Sequence, residues 1–136
     1  MSTLDGRCLC GNITYEIDGE PNWCGHCHCD SCRRNCSAAY VTFIGVDRDK
    51  HRWTSEPPAT YVSSPGVRRH FCPKCGSPMA FDADHYPEEI HLYAACLNDP
   101  NAVQPSFHVY HGEKLAWVHS DDGLVKYIRS GLETNE

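Results

Sequence analysis

The sequence predicts a mostly β domain with little helix, built from short antiparallel strands and stapled by metal. Three observations predict it. Apolar residues alternate with polar ones in short runs, which is the two-residue period of a half-buried strand. Proline and glycine punctuate the chain throughout and keep those runs short. Ten cysteines fall within 136 residues, and thin sheets with a small core need such a staple. The length suits one domain with one modest core.

The elements follow in order. Ile13, Tyr15 and Ile17 alternate with polar residues and predict a strand. Residues 38–46 are apolar and aromatic enough for a second. Residues 51–55 and 60–63 predict a strand pair around the Pro57-Pro58 turn. Residues 67–71 form a strand leading into Cys72-Pro-Lys-Cys-Gly76, and residues 79–81, 90–94 and 107–111 supply further strands. One helix is expected, late, over Asp121-Asp-Gly-Leu-Val-Lys-Tyr-Ile. Asp121 or Asp122 would cap it, Leu124, Tyr127 and Ile128 would form its apolar face, and Gly131 would end it.

Charge and composition exclude several classes. The formal charge of −6 argues against nucleic acid as the main partner, and no basic stripe interleaved with aromatics is present. No apolar run approaches membrane-spanning length. The first residues, Met1-Ser-Thr-Leu-Asp-Gly-Arg, lack an apolar signal segment, so a cytoplasmic location is expected and the cysteines point to metal rather than disulfides. Arg33, Arg34, Arg68, Arg69 and Lys74 lie close to cysteine clusters. They either gather around a metal site to receive an anion or offset the negative charge of zinc-thiolate centres; the two roles are compatible.

Seven cysteines form three clusters: Cys8-x-Cys10, Cys27-x-Cys29-x-x-Cys32 and Cys72-x-x-Cys75. A closed structural zinc takes four thiolates, and a reactive one keeps three protein ligands and an open position. Seven divides into four and three. Cys72-Pro-Lys-Cys-Gly is a zinc-knuckle hairpin that needs a second pair, and Cys8 with Cys10 supplies it, closing a long loop. Cys27, Cys29 and Cys32 can wrap one face of a second ion, whose open position would bind an external thiol as thiolate. A closed alternative stands beside this, since Cys24 could join those three in an inert four-cysteine site. His26, His28 and Cys36 are further candidate ligands, and Cys36 falls four residues beyond Cys32, on the same face if the chain turns helically there.

These residues, in this order, resemble the glutathione-dependent formaldehyde-activating enzyme family, to which centromere protein V also belongs. The resemblance rests on Gly6-Arg-Cys-Leu-Cys-Gly11 with Ile13 and Tyr15, on Cys27-His-Cys-Asp-Ser-Cys-Arg-Arg34, on His70-Phe-Cys-Pro-Lys-Cys-Gly-Ser77, and on Pro105-Ser-Phe-His-Val-Tyr with Trp117. It implies a single zinc domain over residues 6–130, with 1–5 and 131–136 as short tails. It implies a β-tent fold of antiparallel sheets around a structural zinc held by Cys8, Cys10, Cys72 and Cys75. A second zinc would be held by Cys27, Cys29 and Cys32. The activity implied is carbon-sulfur lyase chemistry, the condensation of glutathione with formaldehyde. The chain departs from the family pattern at Asn35-Cys36, where a small residue and glycine are usual, and at Cys96.

Three functions are compatible with the residues. The first is a zinc enzyme in which a thiol bound at Cys27, Cys29 and Cys32 attacks or releases a small aldehyde. Arg33, Arg34 and Arg69 would orient the thiol's carboxylates, because guanidinium matches carboxylate in bidentate geometry. The second is a thiol carrier or sensor that binds without turnover. The third is a structural domain with two closed zinc sites.

Overall fold

The computed structural model describes residues 3–130. The strands run β1 Thr3–Arg7, β2 Thr14–Asp18, β3 Trp23–Cys27, β4 Val41–Asp47, β5 His51–Trp53 and β6 Ala59–Ser64, followed by β7 Val67–Phe71, β8 Pro78–Ala83, β9 Glu89–Tyr93, β10 Phe107–Val109 and β11 Val125–Lys126. A single α-helix, α1 (Asp30–Cys36), stands among the described residues. The fold is therefore mostly β, as the sequence predicts.

Among the described residues the strands form two sheets. One is three-stranded and antiparallel in the order β1-β2-β5; the other is eight-stranded in the order β11-β10-β3-β4-β9-β8-β7-β6. The main core lies where Ile13, Tyr15 and Ile17 meet Ile44, Val46, Met79 and Leu92. Strand alternation sends Val41 and Phe43 into a second cluster with Cys27, Cys32 and Tyr93. Neighbouring residues of β4 thus serve opposite faces, the two-residue period at work.

Several expectations are corrected. Residues 51–55 and 60–63 do not pair with each other. β5 joins β2, where Trp53 sits edge-on to Tyr15 with ring centroids 5.9 Å apart, and β6 joins β7. The Pro57-Pro58 segment is a crossover between sheets rather than a hairpin turn. The large sheet is not wholly antiparallel, since β10 runs parallel to both β3 and β11. β1 begins at Thr3, inside the segment expected as a tail; residues 131–136, including the expected helix end at Gly131, lie outside the described residues.

The expected late helix is absent, and the helix lies at α1 instead. Gly123 has φ +78°, a left-handed turn that a helix cannot continue through. Asp122 does not cap a helix. Its Oδ1 accepts the N–H of Leu124 at 3.1 Å, a local turn, and its Oδ2 bonds His108 at 2.8 Å. α1 is set by Cys29, an extended residue whose sulfur accepts the Cys32 N–H at 3.3 Å. Asp30 in the first turn pairs with Arg34 four residues on, which reinforces it. Ser37, at φ 51°, closes the helix in a left-handed cap.

Candidate metal centres and the adjoining cavity

The β7–β8 turn brings Cys72 and Cys75 to the loop between β1 and β2, which carries Cys8 and Cys10. The four sulfurs lie within 4.8 Å of one another. Cys8 Sγ is 3.7 Å from Cys10 Sγ, and Cys10 Sγ is 3.8 Å from Cys72 Sγ. Thiolates about 2.3 Å from a tetrahedral zinc stand about 3.8 Å apart, so the donor set fits that ion. Backbone amides complete the cradle: the Ile13 N–H points to Cys8 Sγ at 3.2 Å, and the N–H groups of Lys74 and Cys75 point to Cys72 Sγ at 3.4 Å. At Cys72 burial favours the thiol, but the Cys75 and Lys74 amides outweigh it and draw the group down toward thiolate. Gly76, at φ +80°, makes the knuckle's turn. The cluster touches both sheets, so a metal here ties the first strands to the middle of the chain.

Cys27 ends β3, Cys29 caps α1 and Cys32 lies in its first turn. Their sulfurs also fall within 4.8 Å of one another. Hydrogen bonds from Cys27 and Cys32, aided by the Cys32 N–H and the Arg69 charge, draw Cys29 down toward thiolate, while the same thiol contacts and burial push Cys27 up. Three thiols this close share protons until a cation replaces them. A soft, tetrahedral ion fits this donor set.

The candidate fourth ligands do not join the group. β3 alternates, so Cys24 faces the main core while Cys27 faces the second cluster. Burial pushes the Cys24 thiol up to about 11, away from a ligand's needs. Cys36 does lie on α1 one turn beyond Cys32, but its sulfur stays outside the group of three and packs half-buried against that cluster, and burial raises its pKa. His26 and His28 bond elsewhere, to Thr42 and His108, each at 2.8 Å.

The three thiols open onto a cavity of about 760 Å³. It lies over one face of the large sheet, and β10, β3, β4, β9, β8 and β7 each contribute odd-numbered residues to it, among them Phe107, Trp23, Phe43, His91, Phe81 and Arg69. Glycines at 25 and 45 allow this. A Cβ on Gly25 would come within 2.3 Å of the Phe107 ring, and one on Gly45 within 2.2 Å of the Trp23 ring. The Phe107 and Trp23 rings therefore pack close over the backbone at these two glycines.

Of the three arginines expected to meet a thiol's carboxylates, the fold brings one to this cavity. Arg69 is 6% exposed, and its Nη1 is 3.5 Å from Cys32 Sγ, its Nε 3.3 Å from Ser63 Oγ, and its guanidinium 5.1 Å from the Phe81 ring centroid. Arg33 and Arg34 instead line a separate groove with Leu115 and Trp117. Arg33 donates to the His28 carbonyl at 3.1 Å, and Arg34 to Asp30 at 3.0 Å. These two are held by α1 because they follow Asp30 at helical spacing and point off the cysteine face. Arg68 is engaged by Asp82 and Asp84.

Two features escaped the sequence. The aromatic cavity is one; its only signal was the aromatic residues scattered at odd positions on separate strands. The other is a histidine array on the opposite side of β3. His28 Nε2 and His108 Nδ1 are 2.8 Å apart, and His108 Nε2 is 2.8 Å from Asp122 Oδ2. His26, His108 and Asp122 lie close enough together to suit a cation, yet His108 already engages both ring nitrogens. The array buttresses the cysteine loop from behind. No spacing announces it, because eighty residues separate His28 from His108.

The family model of the glutathione-dependent formaldehyde-activating enzymes matches residues 3–113. A protein of Halomonas elongata named for glutathione-dependent formaldehyde activation is 26% identical over 85% of this chain and 79% of its own. An uncharacterized lyase of Schizosaccharomyces pombe is 31% identical over 60% of this chain; the match spans 58% of that protein's length. A crystal structure of a Rhodobacter sphaeroides protein shares the fold, with TM-score 0.58 and 21% identity over 90% of this chain and 97% of that one.

Proposed function

The chain belongs to the glutathione-dependent formaldehyde-activating enzyme family, and we propose that it is a zinc-dependent carbon-sulfur lyase acting on the adduct of a thiol and a small aldehyde such as formaldehyde. One observation carries this. Seven cysteines form a four-sulfur group, a full set for a tetrahedral ion, and a three-sulfur group that lines a cavity. On this reading Cys8, Cys10, Cys72 and Cys75 hold a structural zinc, and Cys27, Cys29 and Cys32 hold a second. When bound there, zinc supplies the charge that keeps a guest thiol deprotonated at neutral pH.

The chain's own residues do the rest. Cys27 and Cys32 are buried, so two of the three metal-holding sulfurs are shielded from water. Arg69 places a fixed positive charge beside Cys32, where it offsets thiolate charge in a low-dielectric setting. In the condensation, the sulfur–carbon bond forms as the aldehyde π bond breaks, and the resulting alkoxide takes up the proton that the thiol gave up. The reverse step releases thiol and aldehyde. Ten unpaired cysteines accord with a reducing compartment, and we place the protein in the cytoplasm. The reading with two closed sites has less support, because Cys24 faces the other side of the sheet. A carrier that binds thiol without turnover uses the same residues, and one assay separates it from an enzyme. With ¹³C-formaldehyde and a thiol, the enzyme speeds exchange between free aldehyde and hydroxymethyl thioether, and Cys29→Ser abolishes that gain. Exchange at the uncatalysed rate, with thiol bound, leaves the carrier.

A further inference from the structure

The cavity beside Cys27, Cys29 and Cys32 has a character that the family's name does not suggest. Its walls are aromatic: Trp23, Phe43, Phe81 and Phe107 stand around it, with Tyr86 and Tyr127. The rings pack on one another, with Trp23 5.7 Å from Phe107 and Phe107 6.2 Å from Tyr127 between centroids.

Its charges are the wrong ones for a thiol bearing carboxylates. Among the described residues, Arg69 is the one lysine or arginine on the wall, and it is already engaged with Cys32, Ser63 and the Phe81 ring. Three carboxylates also line the space: Asp30, Glu89 and Glu113. Asp30 is offset by Arg33 and Arg34 from outside. Glu89 is held at the wall by Asn22, Trp23 and His91, and Glu113 by the Asp30 N–H. Three thiolates around a divalent cation add a further net negative charge. Arg33 and Arg34, expected from the sequence to meet a thiol's carboxylates, lie in another groove.

We infer that the thiol recognised by this chain is uncharged and carries an aromatic or comparably apolar body, which lies against Trp23, Phe81 and Phe107 while its sulfur reaches the three cysteines. This rests on the reading that a thiol occupies the position open beside Cys27, Cys29 and Cys32. Glutathione, with two carboxylates on a polar peptide, matches neither the wall nor its charge.

Titration calorimetry on the zinc-loaded protein, reduced with a phosphine, tests it with three thiols: benzyl mercaptan, 2-mercaptoethanol and glutathione. Benzyl mercaptan is expected to bind about 30-fold tighter than 2-mercaptoethanol, the worth of burying one phenyl group. Glutathione is expected to bind no tighter than 2-mercaptoethanol. Phe107→Leu should reduce the benzyl preference several-fold and leave 2-mercaptoethanol unchanged. Glu113→Lys, a change at the exposed rim, should tighten glutathione alone. Glutathione binding tenfold or more above benzyl mercaptan overturns the inference while leaving a thiol site in place. Binding of none of the three overturns the thiol-site reading, and this inference with it.

Discussion

Replacing Cys75 and replacing Cys29 should have very different consequences, although each removes one thiolate from a sulfur cluster. The four-sulfur cluster joins residues far apart in sequence: Cys10 and Cys72 are 62 positions apart with sulfurs 3.8 Å from each other. Cross-linking a loop of that length restricts the unfolded chain by about 4 kcal/mol on the chain-entropy account, a large part of the roughly 5–15 kcal/mol that holds a domain together. For a chain of this size each kcal/mol moves the midpoint by about 3–4 °C. Cys75→Ser, if it loosens the metal fully, should lower the thermal midpoint by about 15 °C. Cys27, Cys29 and Cys32 lie within one segment that β3 and α1 already fix, so a metal there restrains little further chain. Serine is also among the best N-caps, so Cys29→Ser keeps α1's cap while removing the thiolate. Its midpoint should fall by no more than about 3 °C, under 1 kcal/mol. Circular dichroism melts, with zinc content measured on the same samples, make the comparison. Equal shifts in the two variants would refute the division into a structural and a functional site.

Other outcomes follow from the same structure. Gly45→Ala forces the Trp23 ring off the sheet; overpacking of this kind costs about 1–3 kcal/mol, readable in urea melts together with a shift in tryptophan fluorescence. Burial raises the Asp82 pKa, but Arg68, Arg48 and His70 outweigh it and hold the carboxylate well below its usual range. Its contribution is therefore full above about pH 4 and fades as pH falls below that. Asp82→Asn should cost about 2 kcal/mol at pH 7, and the gap to wild type should narrow at pH 3; a gap that does not change with pH would contradict the ion-pair account. His51 is held neutral by burial, and by His70 and Arg48, with its pKa lowered to about 4. The unfolded chain takes up that proton near pH 6.5, so this residue withdraws stability as pH falls from about 6.5 to 4. His51→Phe should flatten that limb of the stability profile. Cys36→Ala should leave the zinc content unchanged, because the Cys36 sulfur lies outside the group of three.

Much of this was readable from the chain. The spacing matched Cys8 and Cys10 to the Cys72-x-x-Cys75 knuckle and kept Cys27, Cys29 and Cys32 together while leaving Cys24 open as a fourth, and the alternation at Ile13, Tyr15 and Ile17 marked the core strand. What the sequence withheld was decided by distant partners. β5 leaves β6 because Tyr15 and Trp53 pack together across the small sheet. Asp121 and Asp122 resemble helix caps, but His108 claims Asp122 from another strand and Gly123 turns left-handed. The true helix is seven residues long and capped by a cysteine, a residue that propensity rules do not credit with capping. Arg33 and Arg34 adjoin the triplet in sequence, but helical geometry turns them aside, whereas Arg69 arrives from β7, 37 positions from Cys32. The cavity's walls come from seven strands, and no local pattern could assemble them.

The central claim is that one metal is sulfur-saturated and the other has a position for a guest thiol. Zinc K-edge X-ray absorption on the reduced protein, with and without thiol, tests it most directly. Seven cysteine sulfurs over two ions average three and a half per zinc, and the account predicts that value for the free protein, rising to four when an organic thiol is added. Four sulfurs per zinc before any thiol is added, with no change afterwards, would contradict it.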